Sequence, residues 1–277
     1  YYKLKDSNFN LNNYLISPNG ARKLIKEINP FIPTKKIELY IKDITNKGNL
    51  NTFLFKLSDN DKIPKVIYMC HKNLDNIKKY SQNWKRLNPE YDIKLYDDEL
   101  CKKFLLEEYS QLHLDIFNFI RDGPIKSDFW RVCIINKYGG LYVDADIEPV
   151  VPLKTFIEDD DDFVTCISTH FNKNKTSFNF NPQFILFNKN NKILNNCIQQ
   201  YIDAYKNRIK YSYWGWSICK FFKIDNIEKK ESHVKYIDNI KYKFLLELPS
   251  ANDCEYNGVI VLHNRYNNYK NHNFIEN

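Results

Sequence analysis

Apolar side chains recur along the chain at two periods, and the switches between them lay out the elements. Ile125, Phe129, Val132 and Cys133 fall at i, i+4, i+7 and i+8, one face of an α-helix. Asp122 is placed to cap that helix, and Pro124 suits its first turn. Gly139 and Gly140 end it, because a left-handed residue costs glycine little. Leu141-Tyr142-Val143 then reads as a short buried strand. Upstream, the pattern predicts a strand over Ile63 to His71 and an amphipathic helix over Asn76 to Leu87, carrying Tyr80 and Trp84. A second strand follows over Ile93 to Tyr96. Leu100 to Phe119 is mostly helical, with Asp97, Asp98 and Glu99 where carboxylates favour the dipole. Downstream, Phe163 to Ile167 and Gln183 to Phe187 predict strands, and Lys192 to Tyr205 a helix. Gly258 to Arg265 predicts a buried strand ending at His263. Residues 169–181 have no period and suit a loop, and the acidic run Asp159 to Asp162 reads as a solvated one.

Residues 1–62 differ from the rest. Tyr14 to Ile16 is strand-like, Ser17 and Pro18 open a short helix ending near Pro30, and Ser58 to Lys62 reads as a linker. The expected organisation is an appendage, 1–62, and a main domain, 63–277. A chain of 277 residues with 43% hydrophobic and 16% aromatic content buries one large core. The net charge of +7 is scattered rather than massed, which disfavours a nucleic-acid partner. Seven cysteines without a CxxC pair disfavour a zinc site or a closed disulfide framework, and point to reduced thiols in a cytoplasmic setting. No run has the length of a membrane span, and no signal peptide is visible, although the chain opens at Tyr1 and reads as a possible fragment.

The chemistry concentrates after the glycine pair. Asp144 and Asp146 follow the Leu141–Val143 strand at a spacing of two, so on an extended chain both carboxylates point the same way. Two carboxylates on one face repel each other, and a divalent cation relieves the repulsion. Hard oxygen ligands suit Mn²⁺ or Mg²⁺, which usually also hold substrate phosphate. Asp128 and Arg131, three apart on the preceding helix, share a face and offer an acid and a base to polar hydroxyls, or else form an ordinary surface ion pair.

A bare DxD is a weak signal, but here it stands inside SDFWR, an apolar helix and YGGLYVDADIEPV. That string resembles the sugar-binding DxD region of glycosyltransferase family 32, which includes yeast initiating mannosyltransferases and the glucosylating domains of large clostridial toxins. The resemblance runs from about Ile63 to Asn188. It implies an α/β fold of the GT-A type, Rossmann-like and nucleotide-sugar-binding, with one mainly parallel sheet. It implies that Asp146 ligates Mn²⁺ or Mg²⁺, that Asp144 holds the ribose or joins the metal shell, and that His263 completes the metal shell or is a structural histidine. Asp128 and Arg131 would hydrogen-bond the donor sugar, with Tyr142, Asn181, Gln183 and Trp216 as further donor contacts. The chain departs from the family at Cys70, His71 and Lys72, where Gln and Trp are common, and near Trp216, where a Thr-Gly-Pro turn is common. His71 is a candidate nucleotide contact or a structural histidine. The stretch YLISPNGARKLI resembles the closing segment of glycosyltransferase family 25, which makes residues 1–62 the tail of an upstream domain or a helical cap.

The expected function is a metal-dependent, retaining hexosyltransferase acting from a UDP- or GDP-sugar onto a glycan or protein. The alternatives are a GT-A carbohydrate-binding module without turnover and a metal-dependent phosphohydrolase.

Overall fold

Strand β1 (Val66–Cys70) opens the described part of the protein, a computed structural model that describes residues 63–168, 179–189, 191–222, 231–237, 240–248 and 253–265. The expected appendage, 1–62, lies outside the described residues. Helix α1 (Leu74–Leu87) follows, capped by Asn73, whose side chain accepts from the Asp75 and Asn76 amides. Strand β2 (Asp92–Tyr96) leads to α2 (Asp98–Glu108), where Asp97 accepts from the Leu100 amide as a cap. The stretch to Phe119 is mostly helical as expected, in two helices: the chain breaks at Tyr109 and Ser110, and α3 (Gln111–Phe119) forms separately. Helix α4 (Gly123–Tyr138) then runs into β3 (Gly140–Val143) and β4 (Ile147–Pro149). Next come β5 (Phe163–Ser168), β6 (Asn179–Phe187), α5 (Lys192–Lys206), α6 (Tyr213–Trp216) and α7 (Ile218–Phe221). The C-terminal strands are β7 (His233–Ile237), β8 (Ile240–Glu247), β9 (Cys254–Tyr256) and β10 (Val259–Asn264).

All of these strands join one sheet in the order β2-β1-β3-β6-β5-β8-β9-β10-β4, with β7 on β8. The α/β class is as expected, but the sheet is mixed rather than mainly parallel. Pairs β1–β2, β1–β3 and β5–β8 are parallel, whereas β3–β6, β5–β6, β8–β9, β9–β10 and β10–β4 are antiparallel. Connection length explains this. Only residues 169–178 separate β5 from β6, too short for a parallel crossover. Asn257 and Gly258, at φ 52° and 78°, form the tight left-handed turn of a β9–β10 hairpin. Strands β1, β2, β3, β5 and β8 nevertheless run the same way, so Cys70, Tyr96, Val143, Ser168 and Glu247 share one rim. Ligands gather at such carboxyl-end rims in open α/β sheets.

Helix α4 is apolar nearly all round, and every residue from Asp128 to Asn136 is buried. Asp122 is the N-cap residue as expected, but its side chain makes no capping hydrogen bond; its carboxylate instead accepts from the Tyr211 hydroxyl at 2.5 Å. Gly139 and Gly140 end the helix at φ 70° and 107°, and a Cβ on Gly140 would lie 2.9 Å from the Val66 carbonyl oxygen. Trp84 is core, its indole nitrogen donating to the Ile147 carbonyl at 2.9 Å, which fastens α1 to the strand after the DxD.

The acidic run is only in part the solvated loop expected: Asp159 and Asp160 are exposed, but Asp161 is not. Asp161 is buried, with Lys241 Nζ at 3.2 Å and Lys243 Nζ at 2.7 Å, and Lys241 also reaches Glu158 and Asp160. Burial of two lysines on β8 demands carboxylate partners, and this run supplies them. No helix among the described residues is long and apolar enough to cross a membrane.

Candidate active site

The DxD sits where β3 leaves the sheet. Asp144 still belongs to the ladder through its amide, which donates to the Gln183 carbonyl at 2.9 Å. The chain then turns, with the Ile147 amide donating to the Asp144 carbonyl at 3.1 Å. The expected extended geometry from Asp144 to Asp146 is therefore replaced by a tight turn into β4. From the far end of the sheet, the Arg265 amide donates to the Asp146 carbonyl at 2.9 Å, so β10 closes onto the same turn.

Arg131 is the hub. Its Nη2 lies 3.2 Å from Asp128 Oδ1 and 3.0 Å from Asp144 Oδ1. Its Nη1 donates to the Pro182 carbonyl at 2.6 Å and its Nε to the Ser127 carbonyl at 3.2 Å. The guanidinium also lies over the Tyr142 ring, 4.3 Å from its centroid. Burial opposes the charge, but Asp144, Tyr142 and Asp128 together raise its pKa above the ordinary arginine value. Asp128 accepts in turn from the Ile218 amide at 3.0 Å and from Ser217 Oγ at 3.2 Å, and so holds the start of α7. Burial pushes the Asp128 carboxyl up to about 6 against the pull of Arg131. The helix pair expected from the i, i+3 spacing thus exists, but it faces inward and extends to Asp144.

A hydrogen-bonded chain runs along the other side of Asp144. Tyr142 donates its hydroxyl to Asp144 Oδ1 at 2.7 Å, Ser127 Oγ lies 2.7 Å from that hydroxyl, and Cys70 Sγ lies 2.9 Å from Ser127 Oγ. Sequence reading singled out Tyr142 only as a donor contact, and passed over Ser127 altogether. The available signal was Ser127 beside Asp128, one turn before Arg131 on a helix leading to the DxD. A thiol hydrogen bond from Cys101 outweighs burial and lowers the Cys70 pKa, with Ser127 and Arg131 adding to it.

Among the described residues, the Asp146 side chain lacks the Arg131 and Tyr142 contacts that hold Asp144. Burial first, and Asp144 second, push its carboxyl up to about 7. No lysine, arginine or histidine among the described residues pairs with its side chain. A half-buried carboxylate beside another carboxylate, without a cation, has the hard-oxygen chemistry that suits Mn²⁺ or Mg²⁺. Asp146 with Asp144 therefore fits such an ion.

Other expected contacts turn elsewhere. Asn181 Oδ1 accepts from the Gln183 amide at 3.1 Å, and the buried Gln183 donates its Nε2 to Cys254 Sγ at 2.9 Å. Trp216, expected at the sugar, is fully buried, with Phe119 of α3, Tyr201 of α5 and Phe221 of α7 packed around it; Trp214 beside it is 43% exposed. His263 stands opposite Glu148, and its Nδ1 lies 2.5 Å from Asp253 Oδ1, so one ring nitrogen is already engaged. Among the described residues, the group whose ligand atoms gather within 4.8 Å is Glu158, Asp160 and Asp161, not Asp144, Asp146 and His263. That group already has Lys241 and Lys243 to balance it. His71 Nδ1 accepts from the Asn73 amide at 3.0 Å, a local turn before α1.

Residues 75–164 match the family described as glycosyltransferase sugar-binding region containing DXD motif. The central segment carries a DXD-type glycosyltransferase sugar-binding region. Its span covers α1 to the first residues of β5, including Arg131 and both DxD carboxylates. The chain is also 31% identical over 108 residues to mannosyl phosphorylinositol ceramide synthase SUR1 of Saccharomyces cerevisiae, covering 34% of this chain and 27% of that protein. It is 28% identical over 137 residues to the initiation-specific alpha-1,6-mannosyltransferase of Candida albicans, covering 46% of this chain and 35% of that one. The chain thus spans well under half the length of these curated relatives. Among solved structures, PaToxG glycosyltransferase aligns at a TM-score of 0.41 and 19% identity, over 59% of this chain and 67% of that chain.

Proposed function

We propose that this protein transfers a hexose from a nucleotide-sugar, a UDP- or GDP-sugar, to a glycan or protein acceptor with retention of configuration. The observation that carries the reading is the carboxylate pair itself, Asp146 beside Asp144 with no described cation partner for its side chain, inside a DXD sugar-binding region. Asp146 and Asp144 would hold Mn²⁺ or Mg²⁺, which when bound neutralises charge developing on a departing diphosphate. Arg131 fixes the Asp144 carboxylate through a fork that keeps its charge, and Asp128 fixes Arg131. Tyr142 holds the same Asp144 oxygen by its hydroxyl, so that carboxylate enters the site with its rotamer set. Retention, and departure and attack on one face of the sugar, follow from the family resemblance. All seven cysteines are free thiols, which supports a reducing, cytoplasmic setting as part of this reading. Residues 63–277 are the proposed catalytic domain.

A second reading, a carbohydrate-binding module that keeps the fold without turnover, is favoured by the inward-facing Trp216 and Gln183. One experiment separates the two. The full chain is incubated with UDP-, GDP- and CMP-sugars, with Mn²⁺, Mg²⁺ or EDTA, and free nucleotide is measured. Release from one donor that EDTA abolishes and Asp146→Asn removes is expected. Sugar-nucleotide binding without release favours the binding module, and neither binding nor release overturns both.

A further inference from the structure

A carboxylate that the reading above does not use sits on the same rim as the DxD. Glu247 is the last residue of β8, and β8 runs parallel to β5 and in the same sense as β3. Along β8 the side chains alternate: Tyr242 and Phe244 enter the core on the α4 side, whereas Leu245 enters the core shared with Val143, Cys166, Cys254 and Leu262. Glu247, two residues beyond Leu245, lies on that second face. There the sheet curls through β9 and β10 to β4 and back to the DxD turn. Cys254 stands opposite Glu247 in the β8–β9 ladder, Gln183 donates to the Cys254 thiol, and the Gln183 carbonyl accepts from the Asp144 amide. Glu247 therefore stands three contacts from the DxD.

Its environment is unusual. Glu247 is only 7% exposed, and its buried Oε2 has no hydrogen-bond partner among the described residues. Buried polar atoms are almost always paired, and a buried acceptor left unpaired costs the full desolvation of that atom. Asp128 is compensated by Arg131, Ser217 and Ile218; Asp161 Oδ1 also lacks a formed hydrogen bond, but that carboxylate is ion-paired, with Lys241 Nζ at 3.2 Å and Lys243 Nζ at 2.7 Å. An acceptor kept unpaired at the carboxyl-end rim, beside a sugar-binding region, asks for a donor from a ligand. Sugar hydroxyls are such donors, and a site built to hydrogen-bond a hydroxyl discriminates strongly against analogues lacking it.

We infer that Glu247 accepts a hydrogen bond from a sugar hydroxyl, making the curl beside the DxD a hexose-binding subsite. The inference rests on the glycosyltransferase reading. The same chemistry is presented by the hexose of the donor and by a sugar acceptor, and the test separates them. Glu247→Gln keeps size and shape while turning one acceptor oxygen into a donor, so the fold is retained and melting is expected at or above the wild-type temperature. Calorimetry on the full chain with Mn²⁺ then compares UDP-glucose and GDP-mannose with UDP and GDP. The donor assignment predicts that the variant binds the preferred sugar nucleotide at least tenfold more weakly while its diphosphate affinity is unchanged. The acceptor assignment predicts unchanged binding of both, with at least a tenfold higher KM for free mannose or glucose as acceptor. Unchanged binding and unchanged acceptor KM overturn the proposal and leave the glycosyltransferase reading standing. Absence of sugar-nucleotide binding in the wild type overturns both. Glu247→Ala, which removes the carboxyl outright, repeats the comparison should the amide variant be poorly folded.

Discussion

Arg131 gathers more of the site than any other side chain, and the consequences of removing its partners can be ranked. Asp128→Ala leaves the Ile218 amide and Ser217 hydroxyl without their acceptor and strips one carboxylate from a buried guanidinium. Breaking a buried ion pair from one side costs about 3–5 kcal/mol. Asp128→Asn keeps an acceptor for the amide and the hydroxyl, and should cost distinctly less. Urea unfolding of both variants checks the order; equal losses would mean that charge, not hydrogen bonding, anchors α7. Asp128 and Arg131 at i, i+3 were legible as a pair, and Asp144 and Asp146 as a motif. Their union was not, because the Arg131–Asp144 contact depends on β3 folding back under α4, and spacing within one helix carries no information about it. The inward turn of Trp216 was illegible for the same reason: an aromatic next to glycine looks alike in a core and on a sugar platform.

Elements were legible where period and punctuation agreed, and least where a partner decided. The α4–Gly139–Gly140–β3 unit is the clearest case, because both glycines are needed by the backbone. Gly140→Ala would place a Cβ 2.9 Å from the Val66 carbonyl oxygen, at φ 107°, where side chains are strained. Strain of this kind costs on the order of 1–3 kcal/mol, and it acts on the β1–β3 pairing next to the DxD. A lower melting temperature together with weaker sugar-nucleotide binding is expected; an unchanged melting curve would mean that the strands shift apart freely. The Glu158–Asp161 run shows the opposite situation. Its charges predict a solvated loop until Lys241 and Lys243 are known to be buried, and those lysines lie some 80 residues away. Lys241 lowers the Glu158 pKa, so Glu158 contributes stability above its unfolded value, and that contribution is lost as pH falls through the lowered folded value. Lys241→Met should therefore destabilise the fold at neutral pH, and the difference from wild type should shrink in acid. Melting curves at pH 7 and pH 3.5 test this; a gap that does not narrow in acid would show that the ion pairs are incidental.

The sheet as a whole was legible in class but not in direction. Counting strands and helices points to α/β, yet direction is set by connections: the short β5–β6 link and the Asn257-Gly258 hairpin both force antiparallel pairs. The hairpin was there to be read, since Asn-Gly between apolar runs is a strong turn signal. Its consequence, a curl that returns β10 and β4 to the DxD turn, depends on pairings far apart in the chain. That closure also bears on how much of the protein the chemistry needs. The β4 edge is covered by β10, the Asp146 carbonyl by the Arg265 amide, and α1 is fastened to Ile147 through Trp84. The two described apolar clusters draw on residues from Ile63 to Leu262, and the DxD network on Cys70 to Arg265. Every described contact that orients Asp144 thus comes from within the main domain. A protein starting at Asp61 is expected to fold cooperatively and to bind its sugar nucleotide with Mn²⁺ within about threefold of the full chain, a difference of less than 1 kcal/mol. Paired denaturant unfolding and calorimetry decide it. A truncated protein that unfolds with the full chain's midpoint yet fails to bind would assign part of the pocket to residues 1–60. One that fails to fold would make those residues part of the core, and the division at residue 62 would fall.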